Sequence, residues 1–114
     1  MKRRFRLTRS TDFKRVRRSG RSYAHPLIVL VAARNSCNEM RIGVVTGVSI
    51  GKAVTRNTIK RRLRACLDEL LPGIKRGWDV IIVARQPIIQ ATYPEIRSTL
   101  TALLGRAGLL DKVN

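Results

Sequence analysis

The sequence predicts an α+β fold, an α-β-β-β-α-β-α sandwich in which helices pack on one mixed sheet. Three observations carry this reading. Residues 28–31 (Ile-Val-Leu-Val) and 80–83 (Val-Ile-Ile-Val) are β-branched runs of strand length. Ile59, Leu63, Cys66, Leu67 and Leu70 recur at three- and four-residue steps, which draws one apolar stripe down a long helix. No Gly/Ser or Pro linker divides the 114 residues, and 44% of them are hydrophobic, enough for one modest core. A single domain over 1–114 follows.

The elements read in order. Ser10 is suited to cap a short helix over 11–19, with Asp12 in its first turn and Phe13 and Val16 on one face. Gly20 is a natural stop. Residues 21–34 read as extended, broken by Pro26, which cannot donate to a ladder. Asn35, Ser36, Cys37 and Asn38 make a polar turn, and 41–46 form the next strand. Gly47, Ser49 and Gly51 mark a loop. The long helix covers about 53–71 and is closed by Pro72 and Gly73. A strand over 78–84 and a last helix over about 93–104 complete the chain, the latter with Ile96, Leu100, Leu103 and Leu104 inward.

Charge points to a partner. There are 24 Lys and Arg against 7 Asp and Glu, a formal net charge of +17, and this self-repulsion is relieved by a polyanion. Nucleic acid fits best, because each neutralised phosphate also releases counterions. A membrane surface fits poorly: helices that lie on one need a bulky apolar face, and aromatics are only 4%. No run approaches the roughly 18 apolar residues of a membrane span, and no apolar signal segment follows the basic start. The expected location is the cytoplasm.

The charge is concentrated. Lys2, Arg3, Arg4, Arg6, Arg9, Lys14, Arg15, Arg17, Arg18 and Arg21 crowd the first segment against one acid, Asp12. From Arg41 to Leu67 there is no acid at all. With the apolar stripe of the long helix facing the sheet, about 100° per residue turns Asn57, Arg61 and Arg64 outward, with Lys60 and Arg62 on the two shoulders. Such a comb meets successive phosphates, and arginine adds a bidentate fork. The alternative is a solvated surface face, but those normally alternate charge signs. The candidates for binding RNA or DNA are Lys52, Arg56, Asn57, Lys60, Arg61 and Arg64.

No chemistry of the chain's own is legible. The segment 47–53 (Gly-Val-Ser-Ile-Gly-Lys-Ala) is one residue too short for a P-loop and lacks its Ser or Thr. Cys37, Cys66 and His25 are too few for a zinc site and form no disulfide framework. Among Asp12, Glu39, Asp68, Glu69, Asp79, Glu95 and Asp111 only Asp68 and Glu69 are adjacent, and successive helix residues diverge by about 100°. No catalytic residue and no metal ligand is assigned.

The segment 52–64 (Lys-Ala-Val-Thr-Arg-Asn-Thr-Ile-Lys-Arg-Arg-Leu-Arg) closely resembles the signature helix of the bacterial ribonuclease P protein subunit, Ala-Val-x-Arg-Asn-Arg-x-Lys-Arg-x-x-Arg. Arg6-Leu7 with Asp12-Phe13-Lys14 and Val16 looks like that family's first helix, 41–44 like its central strand and 79–85 like its penultimate strand. The resemblance spans nearly the whole chain. It implies an α/β domain with a left-handed β-α-β crossover around the signature helix. It implies a catalytic RNA partner that removes the 5′ leader of precursor tRNA with magnesium, the protein holding no cofactor itself and acting as accessory subunit. The leader would lie between the first helix and the sheet, with Phe13, Arg17 and Tyr23 as candidate contacts. A ribosomal or RNA-chaperone protein with the same basic helix is the alternative. The chain departs from the family at Thr58, where a second Arg is usual, at Arg17, where an aromatic is common, and at Val48 and Ser49, where paired lysines are common.

Overall fold

The structure, a computed structural model, describes residues 1–110; Asp111, counted above among the carboxylates, lies outside them. The main elements are α1 (Ser10–Ser19), β1 (Arg21–Ala24), β2 (Ile28–Arg34), β3 (Arg41–Val45), α2 (Ala53–Leu70), β4 (Trp78–Ala84) and α3 (Tyr93–Arg106). This is the predicted order. The strands form one mixed sheet in the order β1-β2-β4-β3. β2 runs antiparallel to both β1 and β4, while β3 and β4 are parallel neighbours joined through α2.

The sheet's two faces are used differently. One face presents Ile28, Leu30 and Ala32 of β2, Val80, Ile82 and Ala84 of β4, and Ile42 of β3 to the main core. Ile59, Leu63, Cys66, Leu67 and Leu70 of α2, with Ile96, Leu100, Leu103 and Leu104 of α3, close that core. Fully burying a Leu or Ile contributes about 1.5–3 kcal/mol, so this stripe decides which way α2 faces and leaves its basic side outward. The opposite face presents Val31, Ala33 and Ile81 to Leu7 and to Val16 of α1. Val29, Val45 and Val83, further along that face, stay half-buried because α1 covers only part of it.

Two local readings are corrected, at Ser10 and at the end of α3. Ser10 is the first helical residue of α1 rather than its cap: Arg9 occupies that position without a side-chain cap, and its carbonyl accepts from the Asp12 and Phe13 amides at 3.1 Å. The Asp12 carboxylate is drawn instead toward Arg15 and Arg41, 3.7 Å from each. Gly20 does end α1, with φ −81°; glycine is needed there because an added β-carbon would stand 2.9 Å from the Ala32 carbonyl oxygen. α3 continues to Arg106, two residues past its apolar stripe; at its start Thr92 and Glu95 form a reciprocal capping box. No helix among the described residues is long and apolar enough to cross a membrane.

Candidate nucleic-acid interface

Asn57, Lys60, Arg61 and Arg64 line one shallow hollow on the outer side of α2. Asn57 and Arg61 are exposed, while Lys60 and Arg64 are half-buried. The Arg64 Nε is shielded from solvent and has no hydrogen-bond acceptor, so a donor stands unmatched at the base of the basic face. Lys52 and Arg56 flank the N-terminal end of the helix, Lys52 exposed and Arg56 half-buried. Among the described residues no acid forms a salt bridge with any of these basic side chains. The ion pairs lie elsewhere, at Arg15, Arg41, Arg97 and between the N-terminal amine and Asp68. The signature face therefore keeps its whole charge for a partner.

The second surface lies beside α1. The half-buried Phe13 ring rests on β3 above Gly43, and Arg17 is exposed one turn later. Beyond them the half-buried Val29, Val45 and Val83 continue the same face of the sheet where α1 leaves it partly uncovered. Tyr23 does not belong to it. It pairs with Leu30 in the β1–β2 ladder and so shares Leu30's face, the α2/α3 side. There its ring packs on the main core, with the Arg106 guanidinium 5.9 Å from its centroid. The three residues expected on one surface are thus split, Phe13 and Arg17 on one face of the sheet and Tyr23 on the other.

Between α1 and the sheet sits a group the sequence reading passed over. Asp79 is fully buried. Its Oδ1 accepts from Arg41 Nε at 2.8 Å and from Asn35 Nδ2 at 2.9 Å. Its Oδ2 accepts from a second Arg41 nitrogen at 2.7 Å and from Arg15. Burial alone would raise the Asp79 carboxyl; hydrogen bonds from Arg41 and Asn35, the Arg41 charge and the Arg15 bond outweigh it and hold the group below the ordinary aspartate range. Arg15 also donates to the Arg34 carbonyl at 3.0 Å, which ties α1 to the end of β2.

The family model for ribonuclease P matches residues 1–108. The chain belongs to the ribonuclease P protein family. The ribonuclease P protein component of Roseiflexus sp. is 40% identical over 112 residues, 97% of this chain and 92% of that one. That of Symbiobacterium thermophilum is 36% identical over 113 residues, 98% of each chain. The RNase P protein of Staphylococcus aureus superposes with a TM-score of 0.87 at 30% identity, covering 94% of this chain and 98% of that one. The RNase P protein from Thermotoga maritima does so with a TM-score of 0.81 at 27% identity, over 89% and 96%. Membership makes the chain a protein component of ribonuclease P, a ribonucleoprotein of tRNA 5′ processing whose partner is the ribonuclease P RNA.

Within this ribonuclease P protein the departures from the family pattern have local consequences. Thr58 Oγ1 donates back to the Val54 carbonyl at 3.0 Å, so the position serves its own helix where an arginine would reach outward. Val48 is 83% exposed in the loop before α2, an apolar side chain where a lysine is common. The signal for Asp79 was present, since a carboxylate heading a Val-Ile-Ile-Val strand needs a partner. Its partners Arg15 and Arg41 are 64 and 38 residues away in sequence, which is why pattern reading did not join them.

Proposed function

We propose that the outer face of α2 docks on the catalytic RNA and that the cleft between α1 and the sheet holds the 5′ leader of precursor tRNA. The observation that carries this reading is the α2 face itself: Asn57, Lys60, Arg61 and Arg64 share one hollow. No acid neutralises it among the described residues. A rigid helix fixes the cation spacing in advance, so binding RNA costs little reordering, and counterion release drives it. Asn57 adds a directed hydrogen bond where a cation would add only charge.

The α1 cleft offers what an unpaired strand needs. The Phe13 ring and the half-buried Val29, Val45 and Val83 provide apolar surface for bases, and the exposed Lys14, Arg17 and Arg18 provide cations for its phosphates. The protein supplies position rather than chemistry. His25, the only histidine, uses Nδ1 to accept the Leu27 amide at 3.1 Å within its turn. Glu69 accepts from Tyr93 and Arg97 at 2.8 Å each. In this reading the RNA holds the magnesium ions that activate water and stabilise the leaving oxygen.

Reconstitution with the catalytic RNA and labelled precursor tRNA tests it. The protein is expected to raise affinity for precursors with long leaders more than for those with a single-nucleotide leader. Cleavage should require magnesium, and a variant combining H25A, D68N and E69Q should still support it. Equal affinity gains for both precursors would remove the leader assignment. Loss of cleavage in that variant, with RNA binding intact, would place chemistry in the protein.

A further inference from the structure

We propose that Asp79 is a positioning residue for the substrate cleft, clamping α1 to the sheet through Arg15 and Arg41 and so setting how Phe13 and Arg17 face the bound strand. The inference rests on the reading of that cleft as the leader site. Asp79 is the one buried charged side chain among the described core residues. Removing such a charge from water costs several kcal/mol, and a well-packed apolar cluster would often stabilise the domain as well or better. What an ion cluster adds is geometry, because forked arginine bonds are satisfied in one arrangement only.

The cluster is a poor phosphate site in its own right. Arg15 and Arg41 are balanced by Asp79 and by Asp12, which lies 3.7 Å from each. Its two guanidiniums are already engaged by Asp79. It joins three elements instead: Arg15 from α1, Arg41 from β3 and Asp79 from β4.

Its placement gives it leverage. Across the sheet Asp79 stands in register with Ala33 and Arg41, Ile81 with Val31 and Gly43, and Val83 with Val29 and Val45. α1 covers the first two rows and leaves the third half-buried, as the floor of the proposed leader cleft. Strand rise places that open row about 13 Å from Asp79. Around α1, about 100° per residue puts Asp12 and Arg15 on one side of the buried Val16, and Phe13 and Arg17 on the other. Releasing Arg15 therefore lets α1 roll about Val16 and turns Phe13 and Arg17 relative to the valine floor.

The test uses the reconstituted holoenzyme with D79N, R15K, R15Q and the D79N/R15K double variant. Arg15 is on the helix surface, so its variants report even if D79N does not fold. Each single variant is expected to raise KM for a long-leader precursor roughly 3- to 30-fold, the range for residues that modulate binding without touching ligand. Expected unchanged are kcat, KM for a single-nucleotide-leader precursor, and affinity for the catalytic RNA. R15K should lose as much as R15Q, since it keeps the charge but not the fork, and the double variant should be no worse than D79N alone. Wild-type behaviour in R15K, additive losses in the double variant, or equal losses for both precursors would overturn the clamp. A wild-type holoenzyme indifferent to leader length would instead remove the leader reading beneath it.

Discussion

The Phe13 ring lies directly against the backbone of Gly43: a β-carbon at Gly43 would stand 2.7 Å from the ring's Cε1. The α1–sheet packing thus depends on a missing methyl group on β3. G43A is expected to destabilise the protein by about 1–3 kcal/mol, as overpacking does. With F13A present the added methyl should cost less, because its obstacle is gone. Urea unfolding followed by the fluorescence of Trp78, the single tryptophan, measures both. Equal costs of G43A in the two backgrounds would show that the contact does not govern the site.

RNA affinity should separate two sets of basic residues. Alanine at Lys60, Arg61 or Arg64 is expected to weaken binding to the catalytic RNA by about 1–3 kcal/mol. R97A and R106A should have much smaller effects. Arg97 is held by Glu69 at 2.8 Å, and Arg106 donates to the Ala24 carbonyl at 3.0 Å. In a salt series each lost phosphate contact should lower the slope of log affinity against log salt by about 0.7 to 0.9. N57A should weaken binding without changing the slope. Equal effects in the two sets would reduce the α2 face to nonspecific charge.

Acid should undo the Asp79 cluster. The folded carboxyl sits below its ordinary value of 3.8. A depressed folded value contributes stability that is fully present above the unfolded value and is lost as pH falls through the folded one. Unfolding free energy is therefore expected to drop below about pH 4, and D79N should flatten that part of the profile. Urea titrations across the acid range decide it; an unchanged acid limb in D79N would mean that the carboxyl is not held by Arg41 and Asn35.

The two thiols should react differently. Cys37 is exposed, and Cys66 is buried in the α2 stripe, where burial pushes its thiol up. A thiol-specific chromogenic reagent is expected to label Cys37 in the native protein and Cys66 only on unfolding. Rapid native labelling of Cys66 would mean that α2 separates from the sheet under native conditions.

The sequence by itself determined the order of the secondary elements, the apolar stripe of α2 and the basic face that this stripe leaves outward. These are local properties: β-branched runs make strands, a 3.6-residue period selects the buried side, and an acid-free stretch leaves the other side positive. That is why Ile59, Leu63, Cys66, Leu67 and Leu70 could be assigned inward and Asn57, Arg61 and Arg64 outward from spacing alone. Only the tertiary structure decided the second surface. Which face of the sheet Tyr23 occupies follows from its pairing with Leu30, and ladder register is not written in the sequence of either strand. The half-open valine floor exists because α1 is shorter than the face it covers. Asp79 acquires its role only when Arg15 and Arg41 arrive from distant segments, because a buried charge is defined by neighbours that folding supplies.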